Sequence, residues 1–118
     1  MTPYEIERRF LLKTFPKIEA DAAIVHISQG YLDVPQNLDS VRVRVYGGGR
    51  AEMTIKRGMG MRREEHNQPL ETSFAHTMMD VCPYTLAKLR FRYDGWDIDV
   101  YQDPLSGIVI AEREYASL

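Results

Sequence analysis

The chain has 118 residues, with 15 Lys and Arg against 17 Asp and Glu, for a net charge of −2 with His neutral. That length is one domain, 1–118, by the usual prior. A composition 44% hydrophobic and 27% charged excludes a disordered or fibrous chain, and the near-zero charge sum excludes a basic nucleic-acid coat.

Alternation of period two dominates the chain and predicts strands with two chemically different faces. In chain order they fall over 4–11, 26–32, 40–46, 51–57, 63–70, 87–93, 96–102 and 108–115. Val, Ile, Phe and Tyr are frequent in them. Gly47-Gly48-Gly49 and Asp94-Gly95 read as hairpin turns, and Pro104-Leu105-Ser106-Gly107 as a further reversal. A helix is predicted over 71–81, with Leu70, Phe74, Met78 and Val81 on one face and Pro83 as its stop. The stretch 17–27 reads as helix or as strand. The predicted fold is mainly β (α+β): an antiparallel sheet of about eight strands, able to close into a barrel, with one or two short helices.

No apolar run approaches the roughly 20 residues of a membrane helix. The opening Met1-Thr2-Pro3-Tyr4-Glu5 lacks the layout of a signal peptide. A single cysteine, Cys82, can form no internal disulfide, so a cytoplasmic location is expected.

Charge follows strand parity. Glu5, Glu7 and Arg9 share one face of the first strand, and Arg42 and Arg44 alternate with Val41, Val43 and Val45. Thr54 and Lys56 alternate with Met53 and Ile55, and Lys88, Arg90 and Arg92 with Leu89, Phe91 and Tyr93. Asp97 and Asp99 alternate with Ile98 and Val100, while Glu112 and Glu114 share the last strand. A solvated face alternates too, and for one strand that is the simpler reading. As a set, acids collect on the first, seventh and last strands and bases on the third, fourth and sixth, which random solvation does not produce.

With these faces turned into a barrel, Arg9, Arg42, Arg44, Lys56, Lys88 and Arg90 meet Glu5, Glu7, Asp99, Glu112 and Glu114. Uncompensated burial costs several kcal/mol per ion. Guanidinium groups suit phosphate, because their planar fork donates two hydrogen bonds at once. Clustered carboxylates suit hard cations such as Mg²⁺ or Mn²⁺. A metal-bound chain of phosphates satisfies both.

These motifs, in their order, resemble the CYTH superfamily, the triphosphate tunnel metalloenzymes. Glu5-Ile6-Glu7-Arg8-Arg9 matches the opening Glu-x-Glu-x-Lys with Arg for Lys, followed by Phe10-Leu11-Leu12. Gln29-Gly30-Tyr31-Leu32, Val41-Arg42-Val43-Arg44, Thr54-Ile55-Lys56, Arg63-x-Glu65, Lys88-x-Arg90, Asp97-x-Asp99 and Ala111-Glu112-Arg113-Glu114 complete the set. The resemblance spans about 4–115. It implies a charged eight-stranded tunnel and divalent-metal-dependent hydrolysis of a triphosphate, with inorganic triphosphate first among the substrates. It also implies that Glu5, Glu7, Asp99, Glu112 and Glu114 hold metal, Mg²⁺ or Mn²⁺. Arg9, Arg42, Arg44, Lys56, Lys88 and Arg90 would hold phosphate, with Arg63 as an addition, and Glu5, Glu7 and Arg9 would carry catalysis. Asn67 stands where the family often has a second Glu.

The superfamily also contains class IV adenylate cyclases and thiamine triphosphatases, and a polyphosphate-sensing module is the non-enzyme rival. A sensor needs the bases but not the acids. The partner expected is a triphosphate-containing small molecule, with no nucleic acid and no membrane. A homodimer is one way to cover the apolar outer parity of the barrel. Gly47-Gly48-Gly49 opens no helix and is a turn rather than a phosphate loop. His26, His66 and His76 are too scattered for a metal site. Trp96 sits on the apolar parity and Cys82 has no base beside it.

Overall fold

A computed structural model describes residues 4–18, 22–34, 39–59 and 62–115, with Tyr4, Glu5, Met59, Arg62 and Arg63 followed by their backbone. The elements are β1 (Tyr4–Leu11), β2 (Ala23–Tyr31), β3 (Ser40–Tyr46), β4 (Ala51–Met59), β5 (Arg62–Leu70), α1 (Thr72–Asp80), β6 (Tyr84–Tyr93), β7 (Trp96–Tyr101) and β8 (Val109–Glu114). Every predicted strand is present, and 17–27 is resolved in favour of strand from Ala23 onward, with 19–21 outside the described residues.

The strands hydrogen-bond into a closed antiparallel barrel in the order β1-β5-β4-β3-β2-β6-β7-β8. Two tight turns make adjacent hairpins. Asp94 and Gly95 take φ of 52° and 79° between β6 and β7, the left-handed pair a two-residue hairpin needs. Gly48 and Gly49, at φ of 128° and 93°, make the longer turn between β3 and β4, which Tyr46 and Arg50 close. β1 divides its length, pairing with β5 over Tyr4–Ile6 and with β8 over Glu7–Leu11, and so closes the ring.

The apolar parity faces outward and is covered at two places. α1 lies across the outside of β3 and β4, where Ala75 packs on Val43 and Ala51 with Val45, Leu70, Met78 and Met79 around them. The predicted helix face is therefore rotated. Phe74 and Val81 are exposed, and the small Ala75 is the contact residue because it lets the helix axis approach the sheet closely. On the opposite side Leu12 and Ile18, from the segment after β1, pack with Phe91, Trp96 and Val100 on Ile98, Val109 and Ala111. Phe15 meets Phe91 edge-on at 5.1 Å between ring centroids, and Phe10 meets Trp96 at 5.9 Å. Trp96 thus serves the outer packing, as its parity implies.

A two-walled charged tunnel as candidate active site

The barrel order turns the strand-by-strand segregation of charge into two facing walls. β7, β8 and β1 are consecutive in the ring and carry Asp97, Asp99, Glu112, Glu114 and Glu7. β4, β3, β2 and β6 form the other arc and carry Lys56, Arg42, Arg44, Lys88 and Arg90. Between them lies a cavity of about 610 Å³, lined by Glu7, Arg9, Arg42, Arg44, Lys56, Lys88, Arg90, Asp97, Glu112 and Glu114, among others. Asp99 lies behind this lining, wholly buried at 0% exposure. The side chains of Glu5 and Arg63 lie outside those described. Their backbones are register partners across β1 and β5.

Register explains the ion pairs. Asp99 is directly opposite Arg90 across β6–β7, and it accepts from Arg90 Nε at 2.8 Å and Nη2 at 2.9 Å. Lys88 Nζ reaches its second oxygen at 2.6 Å. Burial raises the Asp99 pKa, but the Arg90 hydrogen bonds and the Lys88 charge outweigh it and hold the carboxyl below its ordinary value. Lys88 moves the other way. Burial, with Arg44 and Arg90 nearby, outweighs Asp99 and draws its ammonium down to about 8. One carboxylate shared by two buried cations accounts for both directions. The charge of Arg90 is largely committed to Asp99.

The acidic wall holds a second coupled group. Glu7 is pushed above the ordinary carboxyl value by burial and then by Glu112. Burial also acts to raise Glu112, but Arg9 and the hydrogen bond with Glu7 bring it below its ordinary value. The two carboxyls titrate as a coupled pair, each moving the other, as closely placed like charges do. Arg9 bridges them, with Nη2 at 3.4 Å from Glu7 Oε1 and 3.3 Å from Glu112 Oε2.

On the basic wall, Arg42 has a buried Nε with no hydrogen-bond partner among the described residues. Its guanidinium is lowered in pKa by burial and then by the neighbouring Arg44. A buried donor without a partner beside a like charge is a place an anion would satisfy. Lys56 lies 3.5 Å from Glu65 Oε1, and Glu65 accepts from Asn67 Nδ2, which in turn is tied through Oδ1 to Thr54.

Several lumen residues were not singled out by their charge: Gln29, Tyr31, Tyr46, Glu52, Asn67 and Tyr101 line the same cavity. The signal was available, because Gln29-x-Tyr31, Arg44-x-Tyr46 and Asp99-x-Tyr101 keep the parity of the charged set. Burial, then Asp99 and Glu112, push the Tyr101 phenol up to about 12.

The metal expectation can be tested on these donors. Among the described residues, no three His, Cys, Asp or Glu side chains converge as a ready cation site. Glu7 and Glu112 nevertheless face the cavity side by side, close enough that each shifts the other's pKa and that Arg9 contacts both. Mg²⁺ is commonly held by one or two carboxylates plus substrate phosphates and water, so a two-carboxylate site opposite an anion-binding wall fits it.

A closed antiparallel barrel whose acidic wall faces a basic wall, with a buried partnerless guanidinium Nε on the basic one, is a charged tunnel with donors suited to a polyanion. Comparison with known proteins agrees. The CYTH domain model matches residues 3–103, and the chain belongs to the CYTH domain family. The matched stretch stops before β8, which supplies Glu112 and Glu114. An inorganic triphosphatase of Nitrosomonas europaea is 30% identical over 96% of this chain and 77% of its own length. The crystal structure of an inorganic triphosphatase superposes with a TM-score of 0.66 at 27% identity, covering 96% of this chain and 74% of that one. A second crystal structure, of a protein called hypothetical, gives the same TM-score at 28% identity, over 96% and 77%.

Proposed function

We propose that this chain hydrolyses inorganic triphosphate in a reaction that depends on a divalent cation, Mg²⁺ or Mn²⁺. The observation that carries the reading is the opposition of the two walls across one cavity. The basic arc alone would suit a polyphosphate sensor, and the acidic arc has no use in one. The similarity to a protein named inorganic triphosphatase supports the same substrate.

In this reading Arg42 and Arg44 take phosphate oxygens, with Lys56 beside them. Their fixed positive charge neutralises what builds on the equatorial and leaving oxygens during transfer. Lys88 and Arg90, locked on Asp99, line the same wall with their charge partly compensated. Glu7 and Glu112 hold the cation, with Glu114 of the same wall as a further candidate and Glu5 as another on the sequence pattern alone. Asp99 would join them only by releasing Lys88 or Arg90. The cation, when bound, supplies Lewis-acid polarisation of phosphate oxygens and lowers the pKa of water. Where Glu7 is not itself a ligand of the cation, its carboxylate on the acidic wall would be placed to take the proton of attacking water. Arg9 stays protonated and therefore orients and neutralises rather than acting as a base. Among the described residues no helix is long and apolar enough to cross a membrane. The reading includes a cytoplasmic setting, a small-molecule triphosphate as partner and a homodimer as cover for exposed apolar residues of the outer parity such as Phe10 and Ile24.

Glu112→Gln tests the assignment. It is expected to lower Mg²⁺-dependent phosphate release by about 10²-fold or more while the thermal midpoint is retained. Unchanged turnover in a folded Glu112→Gln protein would remove Glu112 from the site.

A further inference from the structure

The tunnel's arginines are held in two chemically different ways. Arg90 is anchored by a carboxylate through its Nε and Nη2, which fixes its plane and offsets part of its charge. Arg44 is anchored through its Nε by an amide. Its Nε donates to Gln29 Oε1 at 2.8 Å, directly across the β2–β3 register. Gln29 is 2% exposed and Arg44 4%, so neither group relies on water for its hydrogen bonds. The amide orientation is dictated by its partners. Arginine only donates, so the oxygen must face Arg44, and the amide nitrogen then donates to the Tyr31 hydroxyl at 2.7 Å. Arg44 Nη1 donates to the Tyr46 hydroxyl at 3.4 Å, and that hydroxyl donates onward to Glu52 at 2.8 Å.

We propose that Gln29 is the positioning residue of the phosphate wall: it fixes the guanidinium plane of Arg44 through a neutral amide rather than a carboxylate, so that Arg44, unlike Arg90, keeps its charge available to an anion beside Arg42 on β3. A carboxylate at 29 would hold Arg44 as firmly and offset part of its charge, as Asp99 does for Arg90. An apolar residue at 29 would leave Arg44 Nε buried and unsatisfied. The amide alone meets both demands. Arg42 next door, with its partnerless buried Nε, marks where the retained charge is directed. The tunnel thus divides its bases by function. The β3 pair binds anion, and the β6 pair, clamped by Asp99, shapes the wall next to the acids.

This inference rests on the proposed triphosphate site, and the test separates the two. Tripolyphosphate binding is measured by titration calorimetry on the full chain in EDTA, and KM and kcat are measured with Mg²⁺, for wild type, Gln29→Glu and Gln29→Met. Gln29→Glu is expected to keep the wild-type thermal midpoint yet weaken tripolyphosphate binding and raise KM about tenfold or more, with kcat within about threefold. Gln29→Met is expected to lose both midpoint and affinity. Combining Gln29→Met with Arg44→Met is expected to cost no more affinity than Arg44→Met alone, because the first residue acts through the second. A Gln29→Glu protein with wild-type Kd and KM would overturn the inference while leaving the triphosphate reading intact, and so would additive losses in the double variant. Should Gln29→Glu fail to fold, the double variant decides in the same way. A wild-type protein that binds no tripolyphosphate would overturn both.

Discussion

Asp99 sits where a single side chain decides the state of two others. Its carboxylate satisfies Lys88 and Arg90 at once, at 2.6 to 2.9 Å, with no water-exposed surface of its own. Asp99→Asn removes the carboxylate that contacts both buried cations directly. It is expected to lower stability by about 3–5 kcal/mol, the cost of leaving buried charge uncompensated, as read from urea unfolding. A loss below about 1 kcal/mol would show that Lys88 and Arg90 find other partners. Lys88 adds a pH signature. Its folded pKa near 8 lies below its ordinary 10.5. Below pH 8 the folded protein must carry the buried charge, and the cost is present in full. As pH rises through 8 toward 10.5 the folded protein has lost a proton that the unfolded chain still holds, so stability rises across that window. Tyr101 acts in the opposite sense at higher pH. The unfolded phenol ionises near 10 and the folded one near 12, so stability falls between them. In EDTA, urea midpoints are expected to climb from pH 7.5 to 9.5, and Lys88→Met is expected to remove most of that climb.

At the scale of elements, the parity of each strand was legible in the sequence. Val41-Arg42-Val43-Arg44 and Leu89-Arg90-Phe91-Arg92 declare an apolar face and a basic face without any tertiary information. The ring order was not legible, because β1 pairs with β5 and β8 rather than with β2, and β6 pairs back to β2. Those long-range pairings put the three acidic strands side by side. The lumen role of the neutral residues was not legible either: Gln29 and Tyr31 stand in a family-like motif but carry no formal charge, and their parity matters only once Arg42 and Arg44 are known to lie opposite. The helix face was misjudged at Phe74 because periodicity counts apolar residues and ignores that a small one, Ala75, allows the closest contact.

Gly30 shows a sequence feature whose reason is structural. A Cβ there would lie 2.8 Å from Cys82 Sγ and 3.0 Å from Cys82 Cβ. Gly30→Ala is expected to destabilise by about 1–3 kcal/mol, and Cys82→Ala is expected to recover most of it in a double-mutant cycle. No recovery would place the strain elsewhere. The barrel seam makes a further expectation. Among the described residues β1 meets β5 over Tyr4–Ile6, whereas β2 meets β6 over the whole of Ala23–Tyr31. Amide exchange is expected to be faster along the β1–β5 seam than in β2 and β6. Equal protection would argue that the ring opens only by global unfolding.

For the whole molecule, the net charge of −2 is a near-cancellation between two walls rather than a measure of neutrality. A barrel lumen with acids on one arc and bases on the other is costly to maintain unless it is filled by species that complement both. A triphosphate with a divalent cation does so, and the family of the chain and its resemblance to an inorganic triphosphatase point to the same chemistry. The most direct measurement is phosphate release from tripolyphosphate by the wild-type chain with Mg²⁺, with Mn²⁺ and in EDTA, beside ATP as competitor substrate. Metal-dependent release from tripolyphosphate, abolished by EDTA and faster than from ATP, is the expected result. Tight tripolyphosphate binding with no release under any metal would contradict catalysis and leave a sensor.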